Sequence, residues 1–297
     1  ALSASLTQMR AFVQNSLLDP SNAFDDTLDH IVYNHHPLKT GLRPEDLDGV
    51  SLEQVERIFR DRFGDYDDFS FCIVGNFDEA QLRQYCEVYL ANLPTLKRKD
   101  KIRDPKVKSF TGKKEVRFNK GSERGFVSNV SLGKAEFSAA ELLGVNALSI
   151  VANEKLRENV RENMSGTYGV SFWTTLTPYP KPNFRANTWL GCDPQRAEEL
   201  NKAVFATLDS IRLGNFEDKF VQNAKTTQQK RYEESLTKNS YWASSMSSNL
   251  GNGLSIDSLM DFPAIQQSID KAAIVRMANK YATFDKNRLS VYMFPKE

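Results

Sequence analysis

LRENVRENMSGTYGV, residues 156–170, changes character in mid-course. A charged run of helical composition stops at Ser165-Gly166 and restarts as Thr167-Tyr168-Gly169-Val170, which continues into the aromatic, β-branched SFWTTLT. The break reads as a helix capped by glycine and followed by a strand. It also sets Arg161 and Tyr168 seven residues apart across the turn. Both have ordinary roles open to them. A cation suits the end of a helix, where the dipole is negative. A tyrosine at a strand start packs readily. The alternative is that the break aims both side chains at one target.

Working outward, the flanks give an α+β order. KEVRFNKG and GFVSNVSLG alternate with period two, and FSAAELLGVNALSIVANEKLREN is a long helix. YGVSFWTTLTPYP and NFRANTWLGC are expected to pair antiparallel across the proline-rich PYPKPN. PQRAEELNKAVFATLDSIRLG is a helix with a glycine stop, and residues 215–250 read as a long helix or a helix pair. IDKAAIVRMANKYAT and RLSVYMF close the chain as helix and strand.

Upstream, the first twenty residues form an amphipathic helix with Leu6, Met9, Phe12 and Val13 on one face. SLEQVERIFRDRF starts on a capping box, Ser51 with Gln54, and carries the stripe Val55, Phe59, Phe63. DDFSFCIVGNF reads as a buried strand, and DEAQLRQYCEVYLANLP as a helix stopped by Pro94. The helix–turn–strand patterns that end the two regions are alike, which suggests two copies of one α+β unit. The run KRKDKIRDPKVK, residues 97–108, holds seven basic and two acidic residues. No aromatic residues interleave it, so it reads as an exposed linker rather than a nucleic-acid arm. The expected organisation is therefore 1–96, a basic linker 97–112, and 113–297.

The chain has 297 residues, 40% hydrophobic and 26% charged, with a formal net charge of +1. That is a globular composition without the charge excess a polyanion binder shows, and no apolar run reaches the ~20 residues of a membrane helix. It begins at Ala1 without a visible signal peptide and reads as a piece of a longer polypeptide. Cys72, Cys86 and Cys192 are odd in number and far apart, which suits buried thiols better than a disulfide or zinc framework.

Few residues offer chemistry. His30, His35 and His36 are the only histidines, and neither H-x-x-E-H nor H-E-x-x-H occurs, so no metal site is expected in this chain. Ser165 has no histidine near it in sequence, and G-x-S-x-G, a P-loop and G-x-G-x-x-G are absent. Glu154, Glu158 and Glu162, interleaved with Lys155, Arg157 and Arg161, read as a solvated helix face with local ion pairs.

FCIVGNFDEAQLRQYCEVYLANLP and LRENVRENMSGTYGV together resemble the pitrilysin/insulinase family of zinc peptidases, and nearly the whole chain follows its element order. The resemblance implies tandem α/β sandwich units of the pitrilysin and mitochondrial-processing-peptidase fold, with antiparallel sheets packed by helices. Residues 1–96 would be the C-terminal part of a third domain, truncated at its start, and 113–297 a fourth. Lacking H-x-x-E-H, the chain looks like the non-catalytic C-terminal half, inactive alone, with zinc held in a separate N-terminal half of the same polypeptide or of a partner subunit. Arg161 and Tyr168 fall where the family has a pair that binds the substrate backbone near the scissile bond. The implied ligand is a peptide or unfolded polypeptide. Large bacterial members give the best likeness, which favours a periplasmic or cell-envelope setting over the cytoplasm. The competing expectation is a structural or scaffolding subunit built on the same fold.

Overall fold

The computed structural model describes residues 2–98, 100–120 and 123–295. In chain order the elements are α1 (Leu2–Leu18), α2 (Pro20–Val32), α3 (Leu52–Phe63), α4 (Glu79–Tyr85), β1 (Lys113–Asn119), β2 (Gly125–Lys134), α5 (Ala139–Leu156), β3 (Thr167–Thr177), β4 (Asn183–Cys192), α6 (Ala197–Arg212), α7 (Asp218–Leu236), α8 (Asn239–Gly251), α9 (Phe262–Gln267), α10 (Lys271–Tyr281) and β5 (Arg288–Phe294). They group into two units. The first comprises Ala1–Asp19, Gly41–Arg103 and Ser235–Ile256; the second comprises Pro20–Thr40, Asp104–Glu234 and Asp257–Glu297.

The second unit is a five-stranded sheet in the order β1-β5-β2-β4-β3. The β2–β4, β2–β5 and β3–β4 pairs are antiparallel, as expected. The β1–β5 pair is parallel. These two strands open and close the sheet, so no hairpin dictates their direction. Side chains alternate between two cores. On one face Val127, Phe172, Phe184, Ala186, Leu190 and Tyr292 pack against Leu148, Val151 and Ala152 of α5, Leu200, Val204 and Leu208 of α6, and Ile274 and Ala278 of α10. On the other, Val130, Leu289, Val291 and Met293 meet Phe24, Leu28 and Val32 of α2. Phe110, in the basic segment expected to be a linker, is buried in this second core, and its N–H donates to the Val32 carbonyl at 3.0 Å. Central strands are thus covered on both faces, which is why β2 is buried almost throughout. Asn129 is buried there because it is fully paired. Its amide donates to Thr188 Oγ1 (2.8 Å) and Asn201 Oδ1 (2.7 Å), and its carbonyl accepts from Ser290 Oγ (2.6 Å).

In the first unit α3 starts on Ser51, whose hydroxyl accepts from the Gln54 N–H at 3.2 Å. Two sequence expectations fail here. Residues 67–77 form no strand among the described residues, and Phe69, Phe71 and Ile73 are exposed. A strand exists only with a hydrogen-bonded neighbour, and the described part of this unit is helical or irregular. The stripe of α3 is likewise exposed at Val55, Phe59 and Phe63. Its aromatic rings instead meet one another and the loop that follows, Phe59 stacking on Phe63 at 4.9 Å and Phe63 meeting Phe69 at 6.0 Å. Of the cysteines, Cys192 is buried as expected, whereas Cys72 and Cys86 are only half-buried. Asp65 joins the end of the helix to the basic run, with Oδ1 accepting from the Leu96 N–H (2.9 Å) and Oδ2 from the Arg98 N–H (3.0 Å).

Candidate functional site

Arg161 and Tyr168 flank the join between α5 and β3. Ser138 caps α5 by accepting from the Glu141 N–H, and the helix runs on into a π-helical turn, Arg157–Glu162. Widened turns of this kind are often found at functional sites. Ser165 (φ 55°) and Gly166 (φ 76°) then both adopt the left-handed conformation and reverse the chain. Arg196 secures the reversal, its Nη1 donating to the carbonyls of Met164 (2.7 Å) and Ser165 (3.0 Å). Glycine suits position 166 for its φ, and a Cβ there would lie 2.8 Å from that nitrogen and push the Arg196 side chain aside.

Strand β3 then opens on a bulge. Thr167 pairs with Cys192 and Gly169 with Gly191, which leaves Tyr168 as the extra residue. A bulge re-aims one side chain out of the alternation of its strand. Tyr168 is 57% exposed, and the Arg124 guanidinium lies 4.5 Å from its ring centroid. Gly169 and Gly191 flank the bulge because Trp189 occupies the space their side chains would take.

Strand β3 is an edge of the sheet. Its middle is not open for pairing. Asn153 reaches from α5, accepts from the Phe172 N–H at 2.8 Å and donates to the Phe172 carbonyl at 2.9 Å. The start of the strand is partly exposed. A cleft of about 570 Å³ lies there, lined by Asn146, Ser149, Ile150, Asn153, Glu154, Arg157, Arg161, Thr227, Arg231 and the strand residues Gly169, Val170 and Ser171. Arg161 therefore lines a cleft against the start of β3, whereas Tyr168 lies outside its lining. Arg161 has no ion pair or side-chain hydrogen bond among the described residues, and Arg157 makes a long contact to Glu162 at 3.7 Å. Sequence reasoning missed Arg231 and Asn153. Arg231 arrives on a different helix and carried no linear signal; Asn153 sits inside the helical pattern with nothing to mark it.

The other candidates have structural explanations. Lys155 bridges to Glu158 at 2.9 Å, and that contact holds the Glu158 carboxyl below its usual range. Glu154 accepts from the Asn223 amide at 3.1 Å. The Ser165 hydroxyl faces Arg196 Nη1 at 3.5 Å. The His30 and His35 rings meet edge-on at 5.3 Å, and His30 Nδ1 lies 2.8 Å from the Asp26 carbonyl. Among the described residues no three histidines, cysteines or carboxylates are grouped as a metal would require. A second hollow, of about 580 Å³, lies by the β3–β4 turn near Lys39, Lys134, Tyr179 and Lys181, away from Arg161 and Tyr168.

Comparison with known proteins bears on these features. The family described as peptidase M16 inactive domain matches residues 49–228. A probable zinc protease PqqL of Haemophilus influenzae is 24% identical over 238 residues, covering 76% of this chain and 24% of the relative. The chain thus spans about a quarter of that protein's length. Among solved structures, the periplasmic protease PqqL from Escherichia coli superposes with a TM-score of 0.85 at 16% identity, over 99% of this chain and 32% of that one. A peptidase M16 inactive domain from Pseudomonas fluorescens gives 0.76 at 17% identity, over 100% and 70%.

Proposed function

Because this chain belongs to the peptidase M16 inactive-domain family, whose match covers well over half of it, we propose that it is the non-catalytic C-terminal half of a PqqL-like zinc endopeptidase. It closes the substrate chamber and binds peptide through Arg161 and Tyr168. Residues 1–96 correspond to the end of a third peptidase-like domain and 113–297 to a fourth. Zinc would belong to the N-terminal half, a reading supported by the likeness to a probable zinc protease and by the inactive-domain family match. A periplasmic setting fits the description of the Escherichia coli relative, and no helix among the described residues is long and apolar enough to cross a membrane.

The observation that carries this reading is the exposure of Tyr168 on the bulge that opens β3, with Arg161 lining a cleft against the start of the same strand. Arg161 offers charge-assisted donors to peptide carbonyls. The Tyr168 phenol, held at the bulge, donates to a carbonyl oxygen as it becomes negative, and such a donor contributes on the order of 3 kcal/mol to the transition state. The test is Tyr168→Phe in the protein reassembled with its zinc-binding half. We expect kcat to fall about a hundredfold, the lower end of that range, with the unfolding midpoint unchanged. Unchanged turnover would assign Tyr168 to packing with Arg124 alone.

A further inference from the structure

The cleft at the start of β3 holds three guanidinium groups, Arg157, Arg161 and Arg231, against one carboxylate, Glu154. That carboxylate already accepts a hydrogen bond from Asn223. Arg157 and Arg161 come from the π-helical turn and Arg231 from α7, so two separate elements bring like charge to one hollow. A purely structural arginine face would be matched by acids. Here the nearest match is Glu162, 3.7 Å from Arg157 and outside the lining. The rest of the lining, Asn146, Ser149, Thr227 and Ser171, is polar and uncharged. Guanidinium groups bind carboxylates with paired, directional hydrogen bonds, and a partly enclosed site weakens the competition from water.

We propose that Arg157 and Arg231 form a carboxylate subsite beside Arg161, which selects peptides carrying an acidic side chain or a free C-terminus where they pass the start of β3. This rests on the peptide-binding reading above and adds a substrate class to it. Asn153 sharpens the placement, because the clasp on Phe172 ends the accessible strand edge within a few residues of the cleft.

The experiment measures binding of short peptides, labelled with a neutral fluorophore, to the 297-residue chain by fluorescence anisotropy. Three peptides share one sequence: an amidated peptide with a central Gln, the same with Glu, and the Gln peptide with a free C-terminus. We expect one or both carboxylate peptides to bind about tenfold more tightly than the amidated Gln peptide at low salt, with the advantage shrinking as salt screens it. The Glu and free-terminus arms tell the two carboxylate sources apart. Arg231→Gln should cut the ratio to about two- to threefold, and Arg231→Glu should reverse the preference so that the amidated Gln peptide binds more tightly than the carboxylate peptides, as expected for a direct charge contact. Equal affinity for all three peptides overturns the subsite and leaves peptide binding standing. Equal loss for all three in Arg231→Gln also overturns it. Failure of every peptide to bind overturns the peptide-binding reading and the subsite together.

Discussion

Asn153 makes the most exacting test of how the site is held. Its side chain satisfies both backbone groups of Phe172, at 2.8 and 2.9 Å, and also donates to the Ser149 carbonyl at 2.7 Å. Phe172 is itself fully buried. In Asn153→Ala the N–H and C=O of Phe172 lose their partners. A stranded buried group costs about 1–3 kcal/mol. The clasp is only half-buried, so water replaces part of it, and we expect about 2 kcal/mol in all at the low end of that range. Asn153→Asp should be worse at neutral pH, since its carboxylate still accepts from the N–H but opposes the Phe172 carbonyl. Lowering the pH should recover stability in that variant. Protonation restores a donor, and the folded state, which disfavours the charge, holds its proton at higher pH than the unfolded chain does. Urea unfolding followed by tryptophan fluorescence would give the stability, and hydrogen exchange at the Phe172 amide would give the local effect. Two results would refute the reasoning: Asn153→Ala within about 0.5 kcal/mol of wild type, the range of an ordinary surface change, with protection unaltered, or Asn153→Asp no worse than Ala.

Two further outcomes follow from the titratable groups. Burial, with a smaller contribution from Asp193, pushes the Cys192 thiol up to about 11. Maleimide should therefore label Cys72 and Cys86 in the native protein at mildly alkaline pH and reach Cys192 only after denaturation, as mass spectrometry of the labelled peptides would show. The Asp65 carboxyl is held below its usual range, chiefly by the Leu96 N–H and also by those of Asp67 and Arg98. Its contribution to stability is present above the ordinary carboxylate pKa and is lost as pH falls through the lowered folded value. Asp65→Asn should flatten that acid limb and lower stability at neutral pH, read from Trp242 fluorescence across a pH series.

The sheet of the second unit was legible because its strands and the helices between them are specified locally, whereas α2, in a stretch whose prolines suggest a loop, was not. Period-two runs became β1 to β5, and the glycine at 214 ends the helix before it with φ 76°. The break at Ser165-Gly166 was legible for the same reason. The bulge was not, since one extra residue in a strand has no signature until its partner is known. Arg231 and the clasp of Asn153 are tertiary facts, set by where α7 and α5 lie on the fold. FSFCIVG shows the opposite limit: a strand-like sequence stays without a ladder when no neighbour lies beside it among the described residues. Seating α2 on the sheet required knowing that Phe24, Leu28 and Val32 face Leu289 and Val291, which no local pattern states.

The two ends of the sheet also bear on how the protein behaves in a crowd of its own copies. An open strand edge invites another chain to pair with it, and that is the usual start of aggregation. Strand β1 discourages this with Lys113, Lys114, Glu115 and Arg117 along its length. Strand β3 does so by a different device, a side-chain amide that imitates the missing strand at Phe172. A protein that handles extended polypeptides must keep a place for them and still refuse its own kind. Here the refusal sits mid-strand, and the opening sits at the bulge.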